Sequence, residues 1–394
     1  MTNTAPNLLR AVFWLSLTLT VYTYFFYPLL LMLLSSFIKR LGKNRPLPPL
    51  LSDDALPALT MVISAYNERA SLPQKIANCK NLDYPPDKIS FLIGSDGSTD
   101  GTARVLRRID DPRFAAVISR IRRGNVRMLN YLMNKVASEI VVFSDANTLY
   151  APEALRRLVR CFQDPRVGAV IGKLDLFTPN RSPRACSTEN LYWRYENRIK
   201  QMENTFGSVP AVNGGIFAIR RHLFGPLPEN AVTEDQVLGM KIMAAGYRCA
   251  FASDAHARES VSDWTGELRR RIRISAGNFQ SLFLAPSILN PRLGWVCFAF
   301  ISHKLLRWLV PFFLLAMLSS NLLLARQLFY GSTLLLQGLF YTLALLAALL
   351  PQLSAAVKIL ALPKYFLAMN FAILVGLARA LSRRQRVTWS RSHR

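Results

Sequence analysis

The chain has 394 residues with a formal net charge of +25, and 51% of its residues are hydrophobic. The apolar residues are concentrated in 11–38 and in most of 295–380, whereas 57–290 has the composition of an ordinary soluble domain. A segment of that size can bury a core of its own. The composition therefore argues against a wholly hydrophobic transporter and predicts one globular domain held between membrane segments.

The excess of basic residues has two interpretations. A basic surface can bind nucleic acid. Here, however, the lysines and arginines lie largely beside the apolar segments or in one run, at 39–45, 379–394 and 269–273. Charges beside membrane segments contact anionic lipid headgroups. We therefore expect membrane lipids as partners and no nucleic acid.

The first apolar segment is long enough to cross a membrane. Residues 11–38 carry no charge, and they exceed the ~20 residues that a spanning helix needs. This length, the basic residues that follow and the lack of a small-residue cleavage site argue against a signal peptide. By the positive-inside rule, 1–45 is predicted to anchor a cytoplasmic domain in an inner membrane as part of a multi-pass protein.

The cysteines form no C-x-x-C pair and are expected to be reduced and buried: Cys79, Cys161, Cys186, Cys249 and Cys297.

After a proline-rich linker, 46–58, the chain alternates between strands and helices. Apolar runs rich in β-branched residues predict strands at 59–65, 89–95, 114–119, 140–144 and 167–171. Helices are predicted between them at 69–82, 101–109, 126–136 and 152–162. Later residues are less regular, with a strand at 216–219 and a helix from Thr233 to Ala245 that Gly246 ends. This order predicts an α/β domain at 59–290 with a mostly parallel sheet and right-handed connections.

Further apolar segments follow in the region 291–381, at 295–324, 328–350 and 359–381. The first is interrupted by three basic side chains, those of His303, Lys304 and Arg307. We therefore predict that its front half, 293–307, is an amphipathic helix in the plane of the membrane and that a span begins near Trp308. Four crossings would place the basic tail, 382–394, outside the cell, against the positive-inside rule. Either one late segment does not cross or the short tail is tolerated outside, and both interpretations stay open.

Two acidic clusters each follow one of the predicted strands. Asp96 lies in the loop 94–102, and Asp145 and Asn147 follow the strand at 140–144. The carboxyl ends of parallel strands meet at the edge of the sheet where α/β proteins bind ligands. Asp145 and Asn147 are two residues apart on an extended segment, so both side chains can reach one Mg²⁺ or Mn²⁺ ion; an Asx turn is the alternative. Asp96 is suited to hydrogen-bond a base.

Other motifs offer groups for binding and catalysis. The segment that closes the first strand, Ser64-Ala65-Tyr66-Asn67-Glu68, could frame a base and ribose or form a turn that caps the next helix. Glu234 and Asp235 stand at a helix start, where acids are common caps, but beside a sugar nucleotide one of them could deprotonate an acceptor hydroxyl. Arg270 and Arg273 share one face of a helix. They could clamp a leaving diphosphate or contact lipid headgroups.

Taken together in this order, the motifs resemble those of the membrane-bound family 2 glycosyltransferases, which include cellulose, hyaluronan and poly-N-acetylglucosamine synthases. The resemblance covers about 59–310. It implies a GT-A type, Rossmann-like fold and an inverting transfer from a nucleotide sugar, most often a UDP-sugar. It also implies that Asp235 is the catalytic base, that Asp145 ligates the metal, and that Arg270 and Arg273 act at the family's Q-x-x-R-W position. The residues that it implies for nucleotide binding are Ala65, Tyr66, Asn67, Glu68 and Asp96.

The motifs depart from the family pattern at three places. D-x-D reads Asp145-Ala146-Asn147, and a lysine expected after Gly124 is Asn125. Q-x-x-R-W reads Arg270-Arg271-Ile272-Arg273-Ile274, without the glutamine and without the tryptophan that stacks on an acceptor sugar. We therefore expect transfer of one sugar, or a few, to a lipid-linked or short saccharide acceptor in cell-surface or exopolysaccharide synthesis. The alternatives are a processive synthase that translocates its polymer and a non-catalytic, nucleotide-binding membrane scaffold.

Overall fold

The computed structural model describes residues 4–42, 47–177, 188–260, 264–350, 360–382 and 385. Its strands are β1 Leu59–Ala65, β2 Ile89–Asp96, β3 Phe114–Ser119, β4 Ile140–Asp145, β5 Thr148–Tyr150, β6 Val167–Phe177, β7 Phe217–Arg220 and β8 Arg248–Ser260. They form one sheet in the order β3-β2-β1-β4-β7-β6-β8-β5. Because β1 pairs in parallel with both β2 and β4, these three strands end at the same edge. β7 and β5 are antiparallel to their neighbours. The predicted mostly parallel sheet is therefore confirmed.

The helices of the described residues are α1 Thr4–Val21, α2 Tyr27–Arg40, α3 Leu72–Lys80, α4 Thr102–Arg107, α5 Asn125–Met133, α6 Ala154–Val159, α7 Thr188–Phe206, α8 Glu234–Ala244, α9 Trp264–Leu284, α10 Trp295–Phe300, α11 Leu306–Leu323, α12 Leu328–Leu349 and α13 Ala361–Leu381. The elements predicted between 59 and 171 are present, although β6 continues to Phe177. The sequence analysis missed α7, β5 and β8. Four cysteines are buried and unpaired, as expected, and Cys186 lies outside the described residues.

Side chains of β1 alternate between two hydrophobic cores. Met61 and Ile63 are buried on one face in a cluster with Leu72 of α3, whereas Val62 is buried on the other face with Leu129 of α5. This alternation is that of an extended strand in a sheet covered on both sides. Because helices cover both faces, ligands reach the sheet at the ends of its strands.

Four helical segments are long and apolar enough to cross a membrane. They are Pro6–Arg40, Trp295–Leu323, Leu328–Leu349 and Ala361–Leu381. Their positions agree with one apolar segment before the domain and three after it. Within the second of them, α10 and α11 are joined by a π-helical turn, Ile301–Leu305, and the helical segment has no break.

The basic residues near the start of Trp295–Leu323 pair with carboxylates of α7. Nδ1 of His303 lies 2.8 Å from Oε1 of Glu203, and its Nε2 lies 3.0 Å from Oε1 of Glu196. Arg307 donates to Oε2 of Glu196 at 2.6 Å. Buried ionisable side chains such as these require oppositely charged or hydrogen-bonding partners. These contacts tie the membrane segment to the domain, and the in-plane orientation of 293–307 stays a prediction.

The last apolar helix, α13, lies alongside α9 of the domain. Near its start, Nζ of Lys364 lies 5.3 Å from the ring centroid of Trp264. Near its end, Gly376 packs against Ser275 and Ala276. The two helices therefore run side by side in the same direction for about three turns.

This close packing predicts the effect of adding one methyl group. A β-carbon at Gly376 would lie 2.5 Å from Cβ of Ser275 and 2.8 Å from the backbone nitrogen of Ala276. We expect Gly376→Ala to separate the helices and to lower the free energy of unfolding by about 1–3 kcal/mol. The matched control is Gly338→Ala in α12, because nothing lies within 4 Å of its added β-carbon. Thermal unfolding in detergent measures both variants, and equal melting temperatures would contradict the packing.

Candidate active site

A cavity of about 690 Å³ opens where β1 and β4 end. The pairing of Ser64 with Asp145 brings the ends of these two strands together. The loop after β1, the β4–β5 turn, the start of α8 and the arginines of α9 all contribute to its wall. The predicted site residues that line it are Tyr66, Glu68, Asp145, Asn147, Asp235, Arg270 and Arg273. The structure therefore gathers groups from distant parts of the sequence around one volume.

Asp145, the last residue of β4, exposes its side chain to this cavity. Burial within the protein and the nearby carboxylates of Glu259 and Asp235 raise its pKa to about 6, and Arg270 and Arg273 act in the opposite direction. Although the carboxylate faces the cavity, the surrounding protein limits its contact with bulk water. A cation would neutralise this concentration of negative charge.

Asn147 is held beside Asp145 by Glu259. Nδ2 of Asn147 donates to Oε1 of Glu259 at 3.3 Å, and Glu259 itself is only 4% exposed. Among the described residues, no group of three or more His, Cys, Asp and Glu side chains could hold a metal by itself. Asp145 and Asn147 therefore fit a Mg²⁺ or Mn²⁺ ion that takes its other ligands from phosphate oxygens and water.

Asp235 lies in the first turn of α8, close to the backbone of Gly214. A β-carbon at Gly214 would lie 3.2 Å from Oδ2 of Asp235, so the missing side chain lets the backbone approach the carboxylate. Burial raises the pKa of Asp235, although the backbone amide of Gln236 and the charge of Arg273 partly offset the shift. A carboxylate with a raised pKa is a better proton acceptor near neutral pH.

The neighbouring Glu234 forms a hydrogen bond with the side chain of Asn125. Its Oε1 accepts a hydrogen bond from Nδ2 of Asn125, the residue that replaces the lysine of the family pattern. Burial and the adjacent Asp235 raise the pKa of Glu234 to about 7. Because Glu234 is already held by Asn125, Asp235 is the better candidate for the base.

Both predicted arginines face the cavity from α9. Arg270 lies 3.5 Å from a carboxylate oxygen of Glu259 and 3.5 Å from one of Glu267. Arg273 donates to the carbonyl oxygen of Val232 at 3.4 Å, and burial lowers the pKa of its guanidinium. Guanidinium groups fixed in this way are suited to bind the oxygens of a diphosphate.

The residues predicted to bind the nucleotide occupy different positions. Tyr66 and Glu68 line the cavity, and the guanidinium carbon of Arg122 lies 3.7 Å from the ring centroid of Tyr66. Asn67 has a positive φ of 55°, and its Oδ1 accepts a hydrogen bond from the backbone of the loop after β2. Ala65 is buried. Asn67 and Ala65 therefore shape the loop, and direct contact of either with a nucleotide stays a prediction.

Asp96 is not among the residues that line the cavity, and it is 3% exposed. Its two carboxylate oxygens accept hydrogen bonds from the backbone nitrogens of Arg123 at 2.7 Å and Gly124 at 2.8 Å. These bonds order the loop that leads to Asn125, which does line the cavity. Asp96 therefore positions this loop, and its direct contact with a base stays a prediction.

Helix α7 supplies cavity residues that the sequence analysis did not identify. These are Tyr192, Trp193, Glu196 and Lys200. They went unrecognised because α7 lies in the stretch with no regular pattern, where charged residues read as solvent-facing. The adjacent tyrosine and tryptophan were the available signal. Trp193 places an indole in the cavity although Ile274 occupies the family's tryptophan position.

Lys75 is fully buried next to the turn that carries Asp145 and Asn147. Its Nζ donates to Oγ of Ser144 at 2.7 Å and to the carbonyl oxygen of Thr148 at 2.5 Å. These two acceptors stand immediately before and after the turn. One ammonium group therefore fixes both ends of the candidate metal-binding segment.

We expect Lys75→Met to lower the free energy of unfolding by about 1–3 kcal/mol, because two buried acceptors lose their partner. It should also weaken binding of Mn²⁺ in the presence of donor, since the turn loosens. Lys80→Met is the matched control on the same helix, because the Lys80 side chain is 42% exposed. Thermal unfolding and Mn²⁺ titration followed by electron paramagnetic resonance measure the two effects. If the two variants behave alike, Lys75 does not hold the turn.

Fold and cavity together define a class of protein. Carboxylates at the strand ends, a carboxylate at a helix start and a pair of arginines surround one cavity in an α/β domain, an arrangement typical of enzymes that transfer a sugar from a nucleotide donor. The sequence profile described as "Glycosyltransferase like family 2" matches residues 57–277. The chain therefore belongs to glycosyltransferase family 2. The prediction of a glycosyltransferase is confirmed, and the non-catalytic scaffold is set aside.

Curated relatives carry related activities in their names. An N-acetylglucosaminyltransferase of Rhizobium sp. (strain N33) is 25% identical over 281 residues, which is 65% of this chain and 62% of that protein. A poly-beta-1,6-N-acetyl-D-glucosamine synthase of Staphylococcus aureus (strain COL) is 25% identical over 241 residues, or 59% of this chain and 58% of that protein. The chain thus spans about three fifths of each relative's length.

A solved structure matches nearly the whole chain. It is a mannosyltransferase of Pyrobaculum calidifontis in complex with GDP-Man and Mn²⁺, with a TM-score of 0.67 and 25% identity over 95% of this chain and 99% of that one. The predicted GT-A fold is confirmed. The bound Mn²⁺ of that protein supports a divalent metal here, and the four apolar helices indicate a membrane protein.

Proposed function

We propose that the protein is an inverting glycosyltransferase of an inner membrane, which moves a sugar from a nucleotide donor to a lipid-linked or short saccharide acceptor. The observation that carries this proposal is the single cavity lined by Asp145, Asp235 and Arg273. The same cavity is lined by Lys304 and Arg379, which belong to two of the apolar helices. An acceptor held at the bilayer surface would therefore reach the catalytic groups.

The proposed reaction is a single displacement at the anomeric carbon. Asp235 accepts the proton of the acceptor hydroxyl as its oxygen bonds to C1 of the sugar. The bond between C1 and the diphosphate oxygen breaks, and its electron pair leaves with the nucleoside diphosphate. Because attack comes from the opposite face, the configuration at C1 inverts. Arg270 and Arg273 stabilise the charge that develops on the diphosphate, and a divalent cation at Asp145 and Asn147 would neutralise part of it.

The proposed donor is a UDP-sugar, with UDP-N-acetylglucosamine as the first candidate. The names of the curated relatives support N-acetylglucosamine as the sugar. A GDP-sugar is the second candidate, because the matching mannosyltransferase was solved with GDP-Man. The identity of the nucleotide-sugar donor is therefore the first property to test.

A processive polysaccharide synthase is the alternative to single transfer. The indole of Trp193 in the cavity favours it, since aromatic rings stack well on sugars. The two activities differ in their products. Protein reconstituted in vesicles should yield one discrete product if transfer is single, whereas a ladder of products supports processive synthesis.

We also infer that α13 rests on the cytoplasmic face of the membrane and does not cross it. Its packing along α9 supports this inference. With three crossings the basic tail after α13 stays in the cytoplasm, which satisfies the positive-inside rule. An epitope tag added after Arg394 should then resist protease in sealed right-side-out vesicles. Cleavage of the tag before the vesicles are opened would contradict the inference.

A donor screen tests the proposed function. Purified full-length protein with Mg²⁺ or Mn²⁺ should release nucleoside diphosphate from one UDP-sugar, and chelation of the metal should stop the release. If only GDP-sugars are turned over, the donor is a GDP-sugar and the UDP-sugar assignment is wrong. If no nucleotide sugar is turned over with any lipid or saccharide acceptor, the proposal fails.

A further inference from the structure

The cavity extends beyond the proposed catalytic groups to a second cluster of charges. Lys200 of α7 and Lys304 of the segment Trp295–Leu323 both line it. Neither is used by the proposed donor chemistry, which employs Asp145, Asp235 and the arginines of α9. The cluster lies where the domain meets the first apolar segment after it, so a ligand bound there would lie next to a candidate membrane span.

Lys200 is unusual because it is 3% exposed although it forms no close ion pair among the described residues. The charges of Glu196 and Glu203 favour its ammonium group from a distance, and its Nζ lies 6.0 Å from the ring centroid of Trp193. Its Nζ donates to Oδ1 of Asn213 at 3.4 Å, which is a long hydrogen bond. Burial lowers the pKa of Lys200 to about 8, so its positive charge is destabilised where it stands. An anion placed next to it would remove that cost.

The nearby carboxylate does not neutralise the cluster. Glu196 lies 3.8 Å from Lys304, but it also accepts a hydrogen bond from Arg307 at 2.6 Å and lies 3.0 Å from His303. The second carboxylate of the region, Glu203, lies 2.8 Å from Nδ1 of His303. Two carboxylates thus face Arg307, Lys304 and Lys200 together with His303, and neither forms a close ion pair with Lys200. The local charge is positive at the side of the cavity next to the membrane segment.

The position of the cluster relative to the proposed base indicates which substrate it serves. Asn213, which accepts from Lys200, immediately precedes Gly214, whose backbone approaches Asp235. The donor's diphosphate is assigned to Arg270 and Arg273, which belong to α9, whereas Lys200 belongs to α7. Lys200 is therefore linked through Asn213 and Gly214 to the proposed base, and a ligand held by Lys200 would share the cavity with Asp235.

We propose that Lys200 and Lys304 bind the phosphate group of the acceptor, so that the acceptor is a lipid phosphate or lipid diphosphate and not a neutral glycan. In the transfer, an oxygen of this phosphate bonds to C1 of the sugar and the proton of its P–OH group passes to Asp235, while the bond between C1 and the donor diphosphate breaks and the nucleoside diphosphate leaves with the electron pair. This inference rests on the proposed glycosyl transfer and specifies its acceptor. Lysine ammonium groups bind phosphate by charge-assisted hydrogen bonds, which gain strength where water is restricted. The lipid chain would extend along the apolar helix that carries Lys304.

The test compares farnesyl phosphate, farnesol and inorganic phosphate as additions to full-length protein in detergent with excess donor. Release of nucleoside diphosphate should rise with farnesyl phosphate and not with farnesol, and inorganic phosphate should compete with the lipid phosphate. Equal stimulation by farnesol would overturn the inference. Inhibition by inorganic phosphate without any stimulation by farnesyl phosphate would assign the site to free phosphate and would also overturn it.

Variants test the residues. Lys200→Gln should raise the concentration of farnesyl phosphate for half-maximal rate by about tenfold or more, the loss expected for one charge-assisted hydrogen bond. The KM for donor should stay within about twofold, and Lys200→Arg should restore most of the acceptor affinity. Lys135→Gln, an exposed lysine of the domain, is the matched control and should behave as wild type. If Lys200→Gln has the same half-maximal concentration of farnesyl phosphate as wild type, Lys200 does not bind the acceptor phosphate.

Failure of this inference is distinguishable from failure of the proposed function. Slow hydrolysis of the donor by wild-type protein, or transfer to a neutral saccharide, would keep the glycosyltransferase proposal and reject the phosphate site. Absence of turnover with every donor and acceptor would reject both. Donor hydrolysis also shows that a Lys200 variant is folded, because it does not depend on the acceptor.

Discussion

Asp235→Asn is expected to lower kcat by roughly 10²–10⁴-fold, the usual contribution of a general base. The amide keeps the size of the side chain but cannot accept a proton from the acceptor. Release of nucleoside diphosphate in the presence of acceptor measures the loss, and binding of the donor should change little. A variant that keeps more than about a tenth of the wild-type kcat would remove Asp235 from the catalytic role.

The matched control is Glu234→Gln at the preceding position. The amide oxygen of glutamine can still accept the hydrogen bond from Asn125, so the wall of the cavity stays intact. We expect this variant to keep most of the activity. Should Glu234→Gln be inactive while Asp235→Asn is active, the two carboxylates would exchange roles.

The rate of transfer should also depend on pH through the same group. Burial raises the pKa of Asp235 above the ordinary value for aspartate, and only the ionised form can accept a proton. The rate of transfer should therefore be highest well above this pKa and should fall as the pH is lowered through it. A kcat that is independent of pH across the acidic range would contradict the assignment.

Asp145→Asn is the second change with a large expected effect. It removes the carboxylate that faces the cavity, and the loss of metal-assisted charge neutralisation, at least about 3 kcal/mol, corresponds to about 100-fold or more in kcat/KM. Binding of Mn²⁺ in the presence of donor, followed by electron paramagnetic resonance, should weaken in parallel. This second measurement separates loss of the metal from loss of the chemistry.

Asn147→Asp provides the matched control for the metal site. It gives the turn a second carboxylate, the D-x-D form of the family pattern, and should keep or tighten Mn²⁺ binding. Asp145→Asn and Asn147→Asp together shift one negative charge by two residues. If both variants bind Mn²⁺ as well as wild type, the cation is not held by this turn.

Much of the domain could be predicted from the sequence because its signals are local. The strands predicted at 59–65 and 114–119 have the observed ends, because short β-branched apolar runs between turn residues are typical of strands. The helix start at Glu234 has a clear local pattern, and the resemblance to the family singled out Asp235 there as the candidate base. The later part of the domain was harder, because β8 and α7 carry polar residues that face a cavity and so break the usual period.

The sequence by itself determined the order of the elements, the apolar segments, the family motifs and the carboxylates at the strand ends. Those features depend on near neighbours along the chain, whose spacing sets both periodicity and strand termini. Only the tertiary structure decided that Asp96 faces a loop backbone, that Glu259 holds Asn147, and that Lys200 lies in the same cavity as Asp235. Such contacts join residues far apart in sequence, and burial sets their charges and their partners, so no local pattern encodes them.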